Sequence, residues 1–275
     1  MASQKKRKLA PPPESCSSSS GSEAKSSDLS NSDSDEAERS SDSENGSDIN
    51  VDLEFFDPQE ADFQGLKSLL HLLLDGKEYG SSELVDTIIK QARVGSVIRT
   101  GEDGDPLGLI TVLNTRRYAE LQCMRQILGF LIQNAPTSED GAKLQQVWEA
   151  DGTGLMLTER LANTPPQLAP PLIQSVFEEI HWALEDEPTQ AGAEGLLQVQ
   201  RLPGAKKVVF ARPEDEYFHK HAEWSFTFPV ANRAIEKDEL RQLRMVMCLK
   251  PAKLRAARRE LDEVVGNPVA DLAAA

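Results

Sequence analysis

Residues 95–114, Gly-Ser-Val-Ile-Arg-Thr-Gly-Glu-Asp-Gly-Asp-Pro-Leu-Gly-Leu-Ile-Thr-Val-Leu-Asn, decide the fold. Apolar residues at Val97–Ile98 and throughout Leu107–Leu113 are typical of buried strands. The segment between them is rich in Gly, Asp and Pro, the residues that favour turns. The sequence therefore predicts two antiparallel strands joined in a hairpin, and the flanking segments decide what covers them.

The flanking segments alternate between helical and extended patterns. Apolar residues three and four positions apart predict helices over residues 63–73, 81–92, 118–132, 138–150, 173–184 and 251–264. Short apolar or alternating runs predict further strands over residues 51–55, 154–158, 196–201, 207–211, 224–230 and 243–249. Such interleaving predicts an α/β fold with one mixed, mainly antiparallel sheet covered by helices on both faces.

Charge and length limit the domain count and the partners. The chain has 275 residues and a net charge of −15, and residues 1–50 contribute −4 of it, which leaves −11 for residues 51–275. We expect one domain over residues 51–265 and a flexible C-terminus over 266–275. A body this acidic repels phosphate backbones, so we expect basic protein partners rather than duplex nucleic acid.

The cysteines and the apolar runs argue against a zinc-binding, a membrane or a secreted protein. Cys16, Cys123 and Cys248 form no Cys-x-x-Cys pair, which favours a reduced compartment and gives no zinc motif. The apolar run Leu66–Leu74 is interrupted by polar residues and is much shorter than the roughly 20 residues of a membrane span. The charged, Pro-rich amino terminus is unlike a secretory signal. We therefore expect no membrane association.

The first fifty residues form a tail with a basic start. Lys5, Lys6, Arg7 and Lys8 are adjacent, and a nuclear import receptor recognises such a cluster without a prior fold. The tail behind them has few apolar residues, so we predict that residues 1–50 are disordered. Nuclear localisation, with shuttling to the cytoplasm left open, is the expectation. The alternative is a solubilising tail with a chance basic start.

Serines in the tail stand three residues before acidic residues. An acidophilic kinase favours this spacing, and each phosphate adds about −1.5 to −2 charges. Residues 14–50 already carry a net charge of −8. The candidate phosphorylation sites are Ser20, Ser30, Ser32 and Ser41.

One segment of the body combines acids with aromatics. Its carboxylates suit Lys or Arg of a basic client, and its aromatic rings offer apolar or cation–π contacts. The alternative is that Phe218 and Trp224 fill the core while the acids cap a short helix. The candidate partner-binding residues are Glu214, Asp215, Glu216, Tyr217, Phe218 and Trp224.

Four ordered segments, which together extend over residues 51–265, carry a family resemblance. They are Gly95-Ser-Val-Ile with Leu107-Gly-Leu-Ile-Thr-Val-Leu-Asn, Gly154-Leu-Met-Leu-Thr-Glu-Arg-Leu-Ala-Asn-Thr-Pro-Pro-Gln, Phe210-Ala-Arg-Pro-Glu-Asp-Glu-Tyr-Phe and Arg244-Met-Val-Met. Together they resemble the BCCIP family. The resemblance implies a fold like that of the GNAT acetyltransferases and a nuclear, non-enzymatic carrier or adaptor.

The resemblance also implies clients. Fungal members chaperone large-subunit ribosomal protein fourteen and support nuclear export of a phosphoinositide kinase. Animal members are linked to recombination and to cell-cycle control, so a scaffold in those processes is one alternative. The loop 101–106 and the segment 185–194 are shorter than the resemblance leads us to expect of animal members, so contacts that such insertions make with partners are not expected to carry over.

Acetyltransferase activity is the other alternative, and the cofactor motif argues against it. A GNAT enzyme binds acetyl-CoA pyrophosphate on a Gln/Arg-x-x-Gly-x-Gly/Ala loop that opens a helix. Residues 149–154 begin with Glu149, and residues 201–206 end with Lys206, so both depart from the motif. We predict no cofactor and no catalytic residues.

Two weaker patterns remain. His219 and His221 lack ligands at a recognised spacing, so no metal site is predicted. The final helix is basic, but Arg259 can pair with Glu263 one turn later, which favours a solvated face.

Overall fold

The computed structural model describes residues 7–8, 52–91, 93–186, 195–204, 210–231 and 241–265. The strands are β1 (Arg7–Lys8), β2 (Glu54–Phe56), β3 (Gly95–Arg99), β4 (Gly108–Asn114), β5 (Thr153–Arg160), β6 (Gly195–Gly204), β7 (Trp224–Pro229) and β8 (Arg241–Leu249). The helices are α1 (Phe63–Leu70), α2 (Ser81–Gln91), α3 (Gln122–Gln133), α4 (Ser138–Glu149), α5 (Ala169–Asp186), α6 (Pro213–His221) and α7 (Pro251–Val265). Short 3₁₀ turns occupy Glu60–Asp62 and Pro166–Leu168.

All eight strands form one sheet in the order β1-β2-β3-β4-β5-β6-β8-β7. The predicted hairpin is confirmed, because β3 and β4 are antiparallel with Val97 opposite Leu109. Every neighbouring pair is antiparallel except β5 and β6. The parallel pair is also narrow: four residues of β5 are in register with β6, whereas nine residues of β6 are in register with β8.

Helices cover both faces of the sheet, which confirms the predicted α/β architecture. On one face, α1 to α4 pack through residues such as Leu66, Ile88 and Leu144. On the other face, α5 and α7 pack through residues such as Val176 and Leu261. Because β3 and β4 are sandwiched between these layers, almost all their residues are buried. This explains why the hairpin is apolar on both faces.

Position 95, at the start of β3, requires a glycine because of its backbone conformation and its close contact with β4. Its φ is 138°, and a Cβ atom there would lie 2.8 Å from Oγ1 of Thr111. Its N–H donates to Oε2 of Glu179 on α5 at 2.8 Å. Burial raises the pKa of Glu179, and the hydrogen bond from Gly95 acts in the opposite direction. The residue therefore connects the hairpin to the helix beneath it.

Several boundaries differ from the sequence prediction. Helix α3 begins at Gln122 and not at Tyr118, because the side chain of Asn114 accepts hydrogen bonds from the N–H groups of Arg116 and Arg117 and holds a turn there. The strand predicted over residues 207–211 is not confirmed. Phe210 and Ala211 are not in a strand, and residues 207–209 lie outside the described residues.

The tail and the C-terminus lie almost entirely outside the described residues. Residues 9–51 and 266–275 are not described, so the predictions made for them stay predictions. We predicted no secondary structure in residues 1–50, and the backbone of Arg7–Lys8 differs from that expectation. Arg7 pairs antiparallel with Phe55, and Lys8 pairs with Glu54.

A buried arginine joins the turn after α1 to the far side of the sheet. Arg244 of β8 has a side chain that is 1% exposed, and its Nε donates to Oδ1 of Asp75 at 2.6 Å. The same guanidinium donates to the carbonyl of Leu72. The other carboxylate oxygen of Asp75 accepts from the N–H of Ala231 at 3.2 Å. A carboxylate therefore organises three chain segments in a water-poor site.

The Asp75–Arg244 pair gives a stability prediction. Asp75→Asn removes the charge and keeps the shape, and Asn tolerates the φ of 56° at this position. Because the guanidinium is left buried without a counter-charge, we expect the unfolding free energy to fall by about 3 kcal/mol. Urea denaturation followed by circular dichroism measures this change.

The control for this prediction is Glu139→Gln, which breaks the exposed Lys143–Glu139 pair. We expect an unchanged midpoint for the control, since exposed ion pairs contribute little. Equal midpoints for wild type and Asp75→Asn would show that the buried pair is dispensable.

Candidate functional site

The predicted partner-binding segment forms helix α6 and the start of β7. Arg212 is the extended residue before the helix, and Pro213 occupies the first turn, where its missing N–H is harmless. Glu214, Asp215 and Glu216 follow at the positive end of the helix dipole. The segment thus folds as the short helix that the sequence left as an alternative, although no side chain caps its first turn.

Two of the predicted surface carboxylates are buried in ion pairs. Arg160 at the end of β5 pairs with Glu214, and both side chains are at most 5% exposed. Arg212 donates to Asp215 at 3.2 Å and to the carbonyl of Thr158. Burial raises the pKa of Asp215 to about 7, against the effect of Arg212. Glu214 and Asp215 hold α6 on β5, so their prediction as contacts to a client is corrected.

The aromatic residues of the segment are also mainly structural. Phe218 is 1% exposed and belongs to the core beneath α6. Trp224 packs against the opposite core, with its ring stacked 6.0 Å from that of Phe226. The prediction that Phe218 contacts a client is therefore corrected, since the core occupies its ring. Trp224 is only half-buried, so its role as a client contact stays a prediction. Glu216 is exposed and Tyr217 is half-buried, and their role stays a prediction.

The other predicted site residues are in the tail. Only the backbone of Arg7 and Lys8 is described, and Lys5 and Lys6 lie outside the described residues, so the prediction for this cluster stays a prediction. The candidate phosphorylation sites also lie outside the described residues. These are Ser20, Ser30, Ser32 and Ser41.

An exposed acidic surface, which the sequence analysis did not single out, lies beside a second buried arginine. Arg99 is 3% exposed, and it donates to Asp62 at 2.8 Å and to the carbonyl of Glu102 at 2.7 Å. The two segments that it joins carry four exposed carboxylates, which we call the acidic end: Glu60, Glu102, Asp103 and Asp105. The signal was present as three acids in the hairpin turn, but nothing in the sequence indicated that Arg99 brings Glu60 beside them.

The fold also has a position where a nucleotide cofactor would bind. Ligands of such sheets bind beyond the carboxyl ends of parallel strands, with phosphates at the N-terminus of the following helix. Here that position is the connection from β5 to α5, residues 161–168. The connection contains no glycine. Four prolines, which have no backbone N–H group, lie in it or in the first turn of α5: Pro165, Pro166, Pro170 and Pro171.

The residues at this position do not fit acetyl-CoA. The cavity between β5, α5 and α6 measures about 10 Å³ and is lined by Arg160 and Glu214. It has no room for a pantetheine arm, and the helix start offers few donors to a pyrophosphate. The connection from β5 to α5 thus offers neither the space nor the N–H groups that acetyl-CoA would need.

The two partial cofactor motifs lie elsewhere in the fold. Residues 149–154 end α4 and begin β5, so they lie at the negative end of a helix dipole, which repels phosphate. Residues 201–204 belong to strand β6 and form no loop, and residues 205–206 lie outside the described residues. Both segments therefore differ from the pyrophosphate-binding motif in sequence and also lie where a pyrophosphate would not bind.

A groove of about 860 Å³ lies near the start of β5, bordered by α2 and α5. Val112, Leu121 and Ile180 give it an apolar part, and charged residues of both signs surround it, including Asp86 and Arg117. No described thiol serves as a nucleophile, because burial raises the pKa of Cys123 to about 12 and that of Cys248 to about 11. The groove has the dimensions of a binding site, and its lining suggests no particular reaction.

The described residues contain neither a metal site nor a membrane-spanning helix. Across the described part of the chain, no group of three His, Cys, Asp or Glu side chains is arranged to hold a metal ion. His221 instead contacts Oε1 of Glu260 on α7 at 2.9 Å. No described helix is both long and apolar enough to cross a bilayer.

Fold and site define an α/β domain with one mixed, mainly antiparallel sheet between two layers of helices. The chain belongs to the BCCIP family, whose model matches residues 48–202. "Protein BCCIP homolog" from Arabidopsis thaliana is 33% identical over 245 residues, which cover 79% of this chain and 75% of that protein. "Protein bcp1" from Schizosaccharomyces pombe is 32% identical over 220 residues, 69% of this chain and 78% of that protein.

A solved structure has the same fold. The crystal structure of BCP1 from Saccharomyces cerevisiae matches with a TM-score of 0.60 at 21% identity and covers 80% of this chain and 92% of that one. At that identity the match supports the fold alone. The resemblance inferred from the four sequence segments is confirmed.

Burial of Glu214 beside exposed Glu216 gives a direct test of their roles. Glu214→Gln leaves the guanidinium of Arg160 buried without a counter-charge, so we expect the unfolding free energy to fall by about 3 kcal/mol. Glu216→Gln removes the same charge two residues away on an exposed side chain and should leave the urea midpoint unchanged. If both variants behave like wild type, Glu214 is free for other contacts and its structural assignment fails.

Proposed function

We propose that this protein is a non-enzymatic nuclear chaperone or adaptor, and that its client is a basic protein. The observation that carries the proposal is the β5–α5 connection, where prolines replace the N–H groups that an acetyl-CoA enzyme needs. A connection without the space or the N–H groups for acetyl-CoA favours a binding role over group transfer. Fold alone would not decide between the two.

The chain is strongly acidic, so a positively charged client is favoured. A net charge of −15 attracts cationic proteins over long range and repels nucleic acid. The acidic end offers four exposed carboxylates on two segments that Arg99 holds in place. Such a surface masks Lys and Arg that would otherwise bind RNA non-specifically.

A ribosomal protein of the large subunit is the client that family membership favours most. Its cationic surface must stay covered until its site on ribosomal RNA is ready. Release is then simple, because the dense phosphates of RNA compete effectively with scattered carboxylates. Lys5, Lys6, Arg7 and Lys8 support a nuclear place of action through an import receptor.

Binding to an isolated large-subunit ribosomal protein should depend strongly on salt. We expect the affinity to fall at least tenfold between about 50 and 200 mM salt, because the contacts are largely between charges. Titration calorimetry at several salt concentrations measures this slope. Equal affinity at low and high salt would contradict the proposed mechanism.

The acidic end can be tested with two variants that lose the same number of negative charges at different places on the body. We expect the quadruple variant E60Q/E102Q/D103N/D105N to bind the client roughly tenfold more weakly, a loss of about 1.4 kcal/mol. The control E120Q/E139Q/E149Q/D151N removes four exposed carboxylates elsewhere on the body. If both variants lose the same affinity, net charge acts without a defined site.

Two further measurements separate the competing functions. Calorimetric titration with acetyl-CoA should give no binding heat, and saturable binding would support the acetyltransferase alternative. Deletion of residues 1–50 should leave client binding in place. Complete loss on deletion would favour a chaperone that acts through its acidic tail.

A further inference from the structure

Strand β7 ends the sheet and presents an unpaired edge. The N–H of Val230 donates to the carbonyl of Gln242 at 3.1 Å, and the register places Phe228 opposite Arg244 and Phe226 opposite Val246. Hydrogen-bonded residues alternate along an antiparallel strand. The backbone groups of Ser225 and Thr227 therefore point away from β8, and among the described residues no strand pairs with them.

Of the features that normally prevent strand addition, this edge has a proline but no charged side chain. Residues 224–229 read Trp-Ser-Phe-Thr-Phe-Pro and contain no charged side chain. Natural edge strands are usually protected by charge, bulges or proline. Pro229 occupies an outward position, where its missing N–H removes no bond to β8, but it leaves the donors of Ser225 and Thr227 available.

A small cavity lies beside the aromatic residues of this edge. The ring of Phe130 on α3 lies 5.8 Å from that of Phe228, at an interplanar angle of 70°. Phe130 also lines a cavity of about 270 Å³, together with Glu78 and Gly129. Lys77 lines the same cavity and places its Nζ 5.0 Å from the centroid of the Phe130 ring. Glu78 is exposed and has no ion pair with any described residue, so a cationic side chain that enters beside Lys77 would find a carboxylate there.

Gly129 is unexplained by the packing of this chain. It lies inside α3, where glycine is less favourable than alanine. A Cβ atom at Gly129 would meet nothing within 4 Å, whereas one at Gly141 of α4 would lie 3.7 Å from Ala135 and Ile132. Gly129 is exposed, so this space is open to solvent at the rim of the cavity, and an external group can enter it.

We propose that the outer edge of β7 binds an extended segment of the basic client by strand addition, with one of its side chains entering the cavity beside Gly129. This rests on the proposed function for the charge of the partner. A second copy of the chain is disfavoured, because each copy carries −15. The backbone groups of Ser225 and Thr227 supply affinity, and Glu78 selects Lys or Arg.

The backbone part of the proposal is tested by a pair of variants at Thr227. Thr227→Pro removes the outward N–H and leaves every bond to β8, since proline is tolerated at outward positions of edge strands. Thr227→Val keeps that N–H and has a similar shape. We expect the full-length Pro variant to bind a large-subunit ribosomal protein at least tenfold more weakly and the Val variant to bind like wild type.

The cavity is tested by a substitution that stabilises the protein. Gly129→Ala should raise the thermal midpoint, because alanine favours the helix, and should weaken client binding at least fivefold by filling the cavity. Gln122→Ala, at the exposed start of the same helix, is the control and should not change binding. Loss of affinity in a more stable variant cannot result from unfolding.

The outcomes separate this proposal from the broader one. If wild type binds the client with the expected salt dependence, and Thr227→Pro and Gly129→Ala bind equally well, the strand-addition site is wrong and the chaperone function stands. If wild type binds no basic client, both are wrong. If sedimentation shows that wild type dimerises and Thr227→Pro does not, the edge serves a second copy and the proposal is overturned.

Discussion

Burying a guanidinium is costly unless a carboxylate pairs with it, and this structure depends on that constraint in several places. Arg99 joins the hairpin to the turn before α1, Arg244 joins β8 to the turn after α1, and Arg160 and Arg212 hold α6 on β5. Each pair joins elements far apart in the sequence. The pairs fix which carboxylates are structural, and the remaining ones are free to act at the surface.

This division of the acids explains what the sequence revealed and what it did not. Periodicity identified the hairpin, the helices and the covered sheet, because burial imposes local patterns of apolar residues. Nothing local distinguishes Glu214 from Glu216, which stand two residues apart. Their difference arises from Arg160, which is 54 positions away from Glu214 and reaches only the first of them.

The functional surfaces also depend on contacts between residues that are far apart in the sequence. The acids of the hairpin turn were visible in the sequence, but their proximity to Glu60 depends on the two bonds made by Arg99. The open edge of β7 depends on strand order, which the sequence left undetermined. Conversely, the prolines after β5 were visible, and their meaning emerged only when the structure placed them where the fold binds phosphate.

The narrow parallel pairing of β5 with β6 has a mechanical consequence. Four paired residues connect the half of the sheet around β4 to the half that contains β6, β8 and β7, where nine and six residue pairs hold the strands together. Tension applied at the far edge would therefore reach this seam before it breaks the C-terminal trio. Within the sheet, the trio is held together by more residue pairs than join it to β5, and the buried Asp75–Arg244 pair adds a separate bond across this boundary.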